Sequence, residues 1–253
     1  MRIDINSDVG ESFGAYKIGN DAGLMKSITS ANIAAGFHGG DPSVLRETIR
    51  MAKANGVAIG AHPGFPDLVG FGRRELNVTP KEAEDFVLYQ VAAVVGVAAA
   101  EGARVQHVKP HGALFNMAVK NRELSDAIAR GVAAFDRGLI LFGLPGSEIL
   151  AAGRAAGLRV AAEIFADRAY EADGQLVSRR KPGAVIHDPE GVVSRAVQMV
   201  KDKGVTAIDG SFVPFEAETI CVHGDTAGSD VLAARLRAGF EAAGITVKAV
   251  GLG

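Results

Sequence analysis

The sequence predicts an α/β protein made of one closed (β/α) barrel that spans residues 1–253. Two patterns predict this fold: short apolar runs alternate with longer helical segments, and a polar cluster follows nearly every run. A closed ring of parallel strands gathers such clusters at one mouth, whereas an open doubly wound sheet would spread them along an edge. Seven runs fit strands of the ring, at 2–6, 32–36, 57–61, 105–109, 139–143, 160–165 and 219–222, and an eighth run lies at 245–250.

Three of the helices have clearly marked ends. An Asp-Pro or Thr-Pro pair opens each of the segments 41–56, 79–102 and 188–204, and each segment stops at a glycine. The Asp or Thr side chain caps the first turn, and proline suits the first helical position because no amide hydrogen is needed there. In the second segment Glu82 stands three residues after Thr79, which predicts a capping box.

Composition and charge restrict the class of partner. Of the 253 residues, 48% are apolar and 22% are charged, as in an ordinary soluble globular domain. The 27 basic and 29 acidic side chains nearly cancel, so no overall field favours nucleic acid or a membrane, and a small solute is the expected partner. Charge appears at Arg2, and no uncharged apolar run is long enough to cross a membrane. Cys221 is the single cysteine, so we expect a cytoplasmic location and a buried, inert thiol.

The first predicted strand leads into a polar segment, NSDVGES at 6–12. In a regular strand Asp4, Asn6 and Asp8 point to the same side, where three polar side chains are costly to bury unless they are used. Asp8 and Glu11 are therefore candidate catalytic carboxylates, and Asn6 is a candidate substrate-binding residue. The alternative is an ordinary polar turn that Asp8 caps.

Two histidines follow the second and third strands. His38 lies in AGFHGGD at 35–41, where glycines permit a close backbone approach to a ligand, and His62 ends the third strand before a proline. We expect both to bind substrate, together with Arg73 in the loop 70–75, since a guanidinium suits a carboxylate or a phosphate. A structural role for His38, or a solvated one for Arg73, fits the sequence equally well.

The segment QHVKPHGAL at 106–114 is the most specific of these clusters. Alternation in an extended run places His107, Lys109 and His111 on one side, although Pro110 can break the alternation. Burying three basic groups without a purpose is expensive. Lys109 and His111 are therefore candidate catalytic residues.

Three later clusters add candidate substrate-binding residues. Arg168 follows the sixth run, Arg179 lies in a basic loop at 176–182, and Asp225 follows the last ring strand. Each has a structural alternative: Arg168 pairs with a neighbouring carboxylate, the basic loop is only solvated, and Asp225 only caps the next helix.

Absent motifs narrow the chemistry. The sequence contains no GxxxxGK[ST] phosphate loop and no GxGxxG dinucleotide fingerprint. What remains is carboxylate and imidazole chemistry. It is either general acid/base catalysis or a metal held by Asp and His with a water molecule open for attack.

Five segments, taken in order through the whole chain, resemble the LamB/YcsF family, the lactam-utilisation family: NSDVGE (6–11), ANIAAGFHGGD (31–41), GAHPG (60–64), VKPHGAL (108–114) and VHGD (222–225). The resemblance implies a seven-stranded (β/α) barrel of the glycoside hydrolase/deacetylase type. It also implies an activity, the hydrolysis of the cyclic amide of 5-oxoproline to glutamate, coupled to ATP with Mg²⁺. Separate 5-oxoprolinase subunits B and C are the implied partners.

The resemblance bears on a metal as well. Deacetylases of that superfamily commonly hold a divalent metal with one Asp and two His at strand ends, and Asp8, His62 and His111 occupy comparable places here. Two other functions stay open at this point. A stand-alone metal-dependent deacetylase of a small amidated sugar would use the same three residues without ATP, and a non-catalytic subunit would only present the lactam to its partners.

Overall fold

The computed structural model describes residues 1–178, 181–186 and 188–251. The strands in these residues are β1 (Arg2–Val9), β2 (Ser30–Ala34), β3 (Ala58–His62), β4 (Val105–Val108), β5 (Ile140–Gly143), β6 (Arg159–Ile164), β7 (Gly204–Thr206), β8 (Phe212–Pro214), β9 (Thr219–Val222) and β10 (Thr246–Val247). β1 to β6 and β9 form a closed parallel ring, because β9 pairs with both β6 and β1. The predicted seven-stranded barrel is confirmed.

Helices surround this ring. They are α1 (Asp21–Leu24), α2 (Pro42–Ala54), α3 (Pro80–Ala100), α4 (Gly112–Ala118), α5 (Arg122–Phe135), α6 (Glu148–Ala155), α7 (Pro189–Asp202) and α8 (Ser229–Ala242). The three predicted caps are confirmed: Asp41 and Asp188 each accept two backbone amide hydrogens, and Thr79 with Glu82 forms both halves of a capping box. These local signals place the helix starts correctly because the capping groups lie within four residues of one another.

Two elements differ from the sequence prediction. An antiparallel hairpin of β7 and β8 precedes the last ring strand, and the sequence pattern does not predict it because each strand has only three residues. The eighth predicted run becomes β10, which pairs only with Arg2 and Ile3 of β1. It stays outside the ring because the rest of β1 is already paired on both sides.

The interior of the ring is polar along β1. Ile3 and Ile5 belong to the main hydrophobic cluster, whereas Asp4, Asn6 and Asp8 hydrogen-bond to side chains of neighbouring strands. The predicted shared side of the three polar residues is confirmed. Barrel interiors are usually filled by branched apolar side chains, so buried polar groups here require hydrogen-bond partners.

Helix α3 is the longest of the described helices, and it is apolar. Within the described residues it is the one helix whose length and composition would suit a membrane span, and 33% of that window is buried. It packs against α5 and β3 of the barrel. The core helix of a soluble protein passes the same test, so length and composition alone do not assign α3 to a membrane.

Candidate active site

A cavity of about 450 Å³ lies over the carboxyl-terminal ends of the ring strands. This volume falls within the roughly 300–1,000 Å³ of small-molecule sites. Ionisable side chains line one part of the wall, namely Asp8, His62, Lys109, His111 and His223. Another part is apolar and includes Phe115, Leu144, Phe165 and Leu176.

Five residues that the sequence places after different strands converge here. His62 Nε2 lies 3.4 Å from Asp8 Oδ1, and the rings of His38 and His111 stack with centroids 3.6 Å apart. The His62 ring contacts both of these histidines edge-on. His223 lines the same cavity as Asp8. The prediction that these side chains meet at one mouth is confirmed, and it follows from the parallel closure of the ring.

Lys109 is the buried cation of the site. Its Nζ donates to Asp8 Oδ1 at 2.8 Å and to Cys221 Sγ at 2.9 Å, and it lies 3.1 Å from Glu163 Oε1. The lysine side chain is only 4% exposed. Since its partners belong to β1, β9 and β6, this one ammonium group links distant parts of the ring.

The charges around Lys109 follow from burial and pairing. Burial by itself would raise the pKa of Asp8, but the adjacent His62 and Lys109 outweigh it and hold that pKa well below its ordinary value. Burial would lower the pKa of Lys109, yet the adjacent carboxylates, Asp8 foremost, raise it well above the usual range. The site therefore holds an ionised carboxylate beside an ammonium at neutral pH.

Amide side chains below the cavity hold the carboxylates. Asn32 Nδ2 donates to Asp8 Oδ1 at 2.8 Å and to Asn6 Oδ1 at 2.7 Å, and Asn6 Nδ2 donates to Glu163 Oε1 at 2.9 Å. Burial, followed by the charge of Lys109, lowers the pKa of His107 to about 3, so a neutral His107 donates from Nε2 to Asn32 Oδ1. Asn6 is fully buried. Its predicted contact with substrate stays a prediction, and it requires the amide to leave these partners.

Two backbone carbonyls orient the central histidines. His62 Nδ1 donates to the carbonyl of Lys109 at 2.6 Å, and His111 Nε2 donates to the carbonyl of Phe71 at 2.8 Å. Burial, and then the proximity of His62, lowers the pKa of His111 to about 3, so its Nδ1 carries no hydrogen. That Nδ1 lies 3.0 Å from His62 Nε2. A contact this short between two nitrogens requires a proton or a metal ion between them.

Glu11 and His38 lie next to these histidines. Glu11 Oε1 is 3.2 Å from His38 Nε2 and 3.6 Å from His111 Nδ1. Burial raises the pKa of Glu11 well above its usual value, and Asp8 raises it further by repulsion. His38 Nδ1 is buried without a hydrogen-bond partner among the described residues. One ligand atom from each of Glu11, His38, His62 and His111 lies within 4.8 Å of the others, so this buried cluster is a candidate metal site.

A loop folds over the histidines and carries an arginine to the cavity. Phe71 and Gly72 both have positive φ, 55° and 63°, and a Cβ on Gly72 would lie 2.7 Å from His111 Cδ2. This turn places Arg73 on the cavity wall, where its Nη2 donates to Asp225 Oδ2 at 2.6 Å. Two predicted substrate-binding residues are therefore paired with each other across the mouth.

Two predicted substrate-binding residues remain, and both are arginines. Arg168 lines the cavity, but it is buried and donates to the carbonyls of Val177 and Ala184, so it also braces the loop beside it. Arg179 lies outside the described residues. The roles predicted for both stay predictions.

Sequence reasoning missed two residues of the site. Asn32 and Glu163 are fully buried in the interior of the ring and contact Asp8 and Lys109. Both are polar residues within apolar strand runs, the same signal that identified Asp4, Asn6 and Asp8 in β1. Cys221 is buried as expected, and burial raises the pKa of its thiol well above the ordinary value.

An ionised carboxylate, an ammonium and convergent imidazoles at the mouth of a closed ring define a β/α-barrel enzyme that uses acid/base or metal-assisted chemistry. Residues 3–252 match the LamB/YcsF family, and the chain belongs to that family. The A subunit of 5-oxoprolinase from Thermococcus onnurineus is 54% identical over 251 residues, which cover 99% of this chain and 98% of the relative. The protein of the same name from Bacillus licheniformis is 54% identical over 248 residues, 98% of each chain.

A solved structure resembles the whole barrel. The crystal structure of a lactam utilization protein from Thermus thermophilus has a TM-score of 0.94 and 48% sequence identity. The match covers 98% of this chain and 100% of that one. The family relationship therefore extends over the cavity and over every ring strand.

Proposed function

We propose that this chain is the A subunit of an ATP-dependent 5-oxoprolinase, and that its barrel mouth opens the lactam ring in concert with separate B and C subunits. The observation that carries this proposal is the pairing of ionised Asp8 with the Lys109 ammonium, at 2.8 Å, on the wall of a cavity of small-molecule size. The names of the relatives supply the substrate and the division into subunits.

The substrate explains the need for ATP. A five-membered lactam is an unstrained, resonance-stabilised amide. Its equilibrium with glutamate does not favour hydrolysis unless the reaction is coupled to ATP. Phosphorylation of the carbonyl oxygen makes the carbon a far better electrophile. This chain has no P-loop, so the proposal leaves ATP with Mg²⁺ as a cosubstrate of the assembled enzyme and assigns the reaction of the activated ring to this barrel.

Asp8 and Lys109 have complementary roles in this reaction. The described contacts of the Asp8 carboxylate all use Oδ1, so Oδ2 can accept a proton from a water molecule in the cavity. The Lys109 ammonium stabilises the negative charge that develops on the lactam or phosphoryl oxygen. The water oxygen bonds to the activated carbon, and as the C–N bond breaks the proton held by Asp8 passes to the ring nitrogen, which becomes the product amine. The opened chain is then an acyl phosphate, and its hydrolysis by a second water molecule gives glutamate and phosphate.

The substrate carboxylate or the phosphate requires further cations. Arg73 lines the cavity, and its guanidinium can hold either group through two parallel hydrogen bonds. To do so it must leave Asp225. Arg179, from the predicted basic loop, is a second candidate for this role.

We also propose a divalent metal held by Glu11, His38, His62 and His111. The facing nitrogens of His62 and His111, at 3.0 Å, and His38 Nε2, at 3.2 Å from Glu11 Oε1, fit a cation at this cluster. Asp8, the carboxylate of the predicted metal set, fits less well, because the ligand atoms that lie within 4.8 Å of one another belong to Glu11 and the three histidines and not to Asp8. A bound metal would lower the pKa of a water molecule or polarise a carbonyl.

Metal content tests this part directly. The purified parent protein should contain about one equivalent of a divalent metal by elemental analysis, and Glu11→Gln should lose it while Asp8→Asn keeps it. If Asp8→Asn loses the metal and Glu11→Gln keeps it, the carboxylate ligand is Asp8, as the sequence predicts. No metal in the parent, together with full activity in chelator, would remove the metal from the proposal.

The assay of the function itself is phosphate release from ATP with 5-oxoproline, with glutamate measured in the same samples. The A, B and C subunits are assayed together and with each one omitted. We expect glutamate only from the complete mixture, and none when Asp8→Asn replaces the parent chain. Undiminished turnover without this chain would refute the proposal.

Two outcomes would support the other functions. If Asp8→Asn binds 5-oxoproline and keeps parental turnover, the chain only presents the lactam and has no chemistry of its own. If the parent releases acetate from a small amidated sugar without ATP and loses that activity in chelator, it is a deacetylase. The cytoplasmic location expected from the sequence suits an enzyme that consumes ATP and stays part of the proposal.

A further inference from the structure

We propose that Glu163 is a positioning residue that holds the Lys109 ammonium in place at the cavity wall. This inference rests on the proposed function, because it concerns how the same site completes a catalytic cycle. Glu163 itself does not line the cavity. Whatever it contributes to the reaction must therefore act through Lys109.

The position of Glu163 is unusual for a carboxylate. It is fully buried on β6, facing the interior of the ring, with Oε1 3.1 Å from Lys109 Nζ. Asn6 Nδ2 donates to the same oxygen at 2.9 Å and also to Thr219 Oγ1 at 2.7 Å, so the carboxylate is held from a neighbouring strand. Glu163 Oε2 has no hydrogen-bond partner among the described residues. A carboxylate buried this way is costly unless the neighbouring ammonium uses it.

The two carboxylates beside Lys109 differ in their access to the cavity. Asp8 lines the cavity and is the base of the proposed reaction, whereas Glu163 is sealed behind it. Glu163 reaches Lys109 Nζ from β6, and Asn6 holds the same carboxylate oxygen. Without Glu163, the described contacts of Nζ would be Asp8 and Cys221, which belong to the adjacent strands β1 and β9. Glu163 therefore fixes the ammonium from a third strand.

This division of roles predicts a specific kinetic pattern. Glu163→Gln keeps the size of the side chain and an oxygen for Asn6, but it deletes the charge next to Lys109. We expect kcat to fall about tenfold or more with KM within about threefold of the parent, because a displaced ammonium weakens an interaction that is made in the transition state. In a Lys109→Met background the same change should have no further effect on kcat. Glu216→Gln, which changes an exposed carboxylate paired with the exposed Lys203, is the control and should match the parent.

A second measurement does not depend on turnover. If Asp8 and Glu163 share one ammonium, the Asp8→Asn/Glu163→Gln double variant should lose more thermal stability than the two single variants together. Additive melting shifts together with an unchanged kcat in Glu163→Gln would overturn the inference. A fall in kcat that persists equally in the Lys109→Met background would overturn it as well, because Glu163 would then act without Lys109.

The outcomes separate this inference from the proposed function. If the parent with its B and C subunits releases no glutamate, the proposed function fails, and the melting comparison still tests whether the ammonium is shared. If Glu163→Gln does not fold, Glu163→Asp retains the charge at a longer distance and should lower kcat with KM unchanged. Parental kcat in Glu163→Asp together with additive melting shifts in the foldable variants would contradict the positioning role.

Discussion

Replacement of Lys109 by methionine tests the centre of the site. The substitution keeps most of the length of the side chain and removes the ammonium that lies 2.8 Å from Asp8 and 3.1 Å from Glu163. Both carboxylates are buried, so the variant leaves negative charge in the barrel without its cation. Lys109 therefore has a structural role and a chemical role in the same position, and the experiment must separate them.

The magnitudes of the two effects can be worked out from the contacts. Removing one partner of a buried ion pair costs about 3–5 kcal/mol of unfolding free energy, which corresponds to a melting temperature lower by roughly 6–20 °C in a chain of this size. Protonation of Glu163, whose pKa burial already raises, reduces that loss. Loss of one preorganised electrostatic donor costs about 3 kcal/mol of transition-state stabilisation, or a rate roughly a hundredfold lower.

The assay compares melting and turnover, with the B and C subunits present, for three variants. Lys109→Met should lose both stability and activity. Asp8→Asn/Lys109→Met should regain part of the stability, since one of the two carboxylates left without a cation is gone, but none of the activity. Lys81→Met removes an exposed lysine that pairs with Asp85 on α3, and it should match the parent in both. Activity of Lys109→Met within about threefold of the parent would refute a chemical role for the ammonium.

Three further predictions concern pH, packing and substrate affinity. Burial raises the pKa of Asp4 to about 6, so the folded state binds its proton more tightly than the unfolded state and this contribution to stability is lost as pH rises from about 4 to 6. The free energy of unfolding, measured with denaturant, should therefore be about 3 kcal/mol lower at pH 7 than at pH 4 through Asp4, and Asp4→Asn should lack this difference. An equal pH dependence in the parent and in Asp4→Asn would contradict the raised pKa of Asp4. Gly60→Ala would place a Cβ 2.1 Å from His107 Nε2 and should unfold at a much lower temperature than the parent. Gly96→Ala, whose Cβ would have no atom within 4 Å, should be more stable than the parent by about 0.5–1 kcal/mol. Similar melting temperatures for the two variants would contradict this packing. Arg73→Met should raise KM for 5-oxoproline about tenfold with kcat and melting near parental values, and an unchanged KM would exclude the guanidinium as the carboxylate ligand.

Much of the fold could be predicted from local signals. The capping residues of α2, α3 and α7 lie within four positions of the groups they bind, and most ring strands are short, mainly apolar runs, whereas β1 alternates apolar and polar residues. These features need no partner from elsewhere in the chain. The hairpin of β7 and β8 is the exception, because strands of three residues are too short to show a periodic pattern.

The sequence by itself determined which residues could take part in chemistry. Asp8, His62, Lys109 and His111 are polar residues at the ends of apolar strands, and the parallel order of the strands brings them to one mouth. Strand periodicity also determined that Asp4, Asn6 and Asp8 share the interior face of β1. Both conclusions depend on spacing within one strand and on the direction of the chain, which a sequence contains.

Only the tertiary structure decided how these residues are paired. Lys109 lies between Asp8 and Glu163, Glu163 is held by an asparagine 157 positions away, and Arg73 is paired with a carboxylate 152 positions away. Such pairs form because the closed ring brings strands together that are remote in the chain, and no local pattern encodes which side chains will then be within about 3 Å of each other. The charge states follow from the same contacts, since burial and neighbouring charges, not residue type, set the pKa of each group.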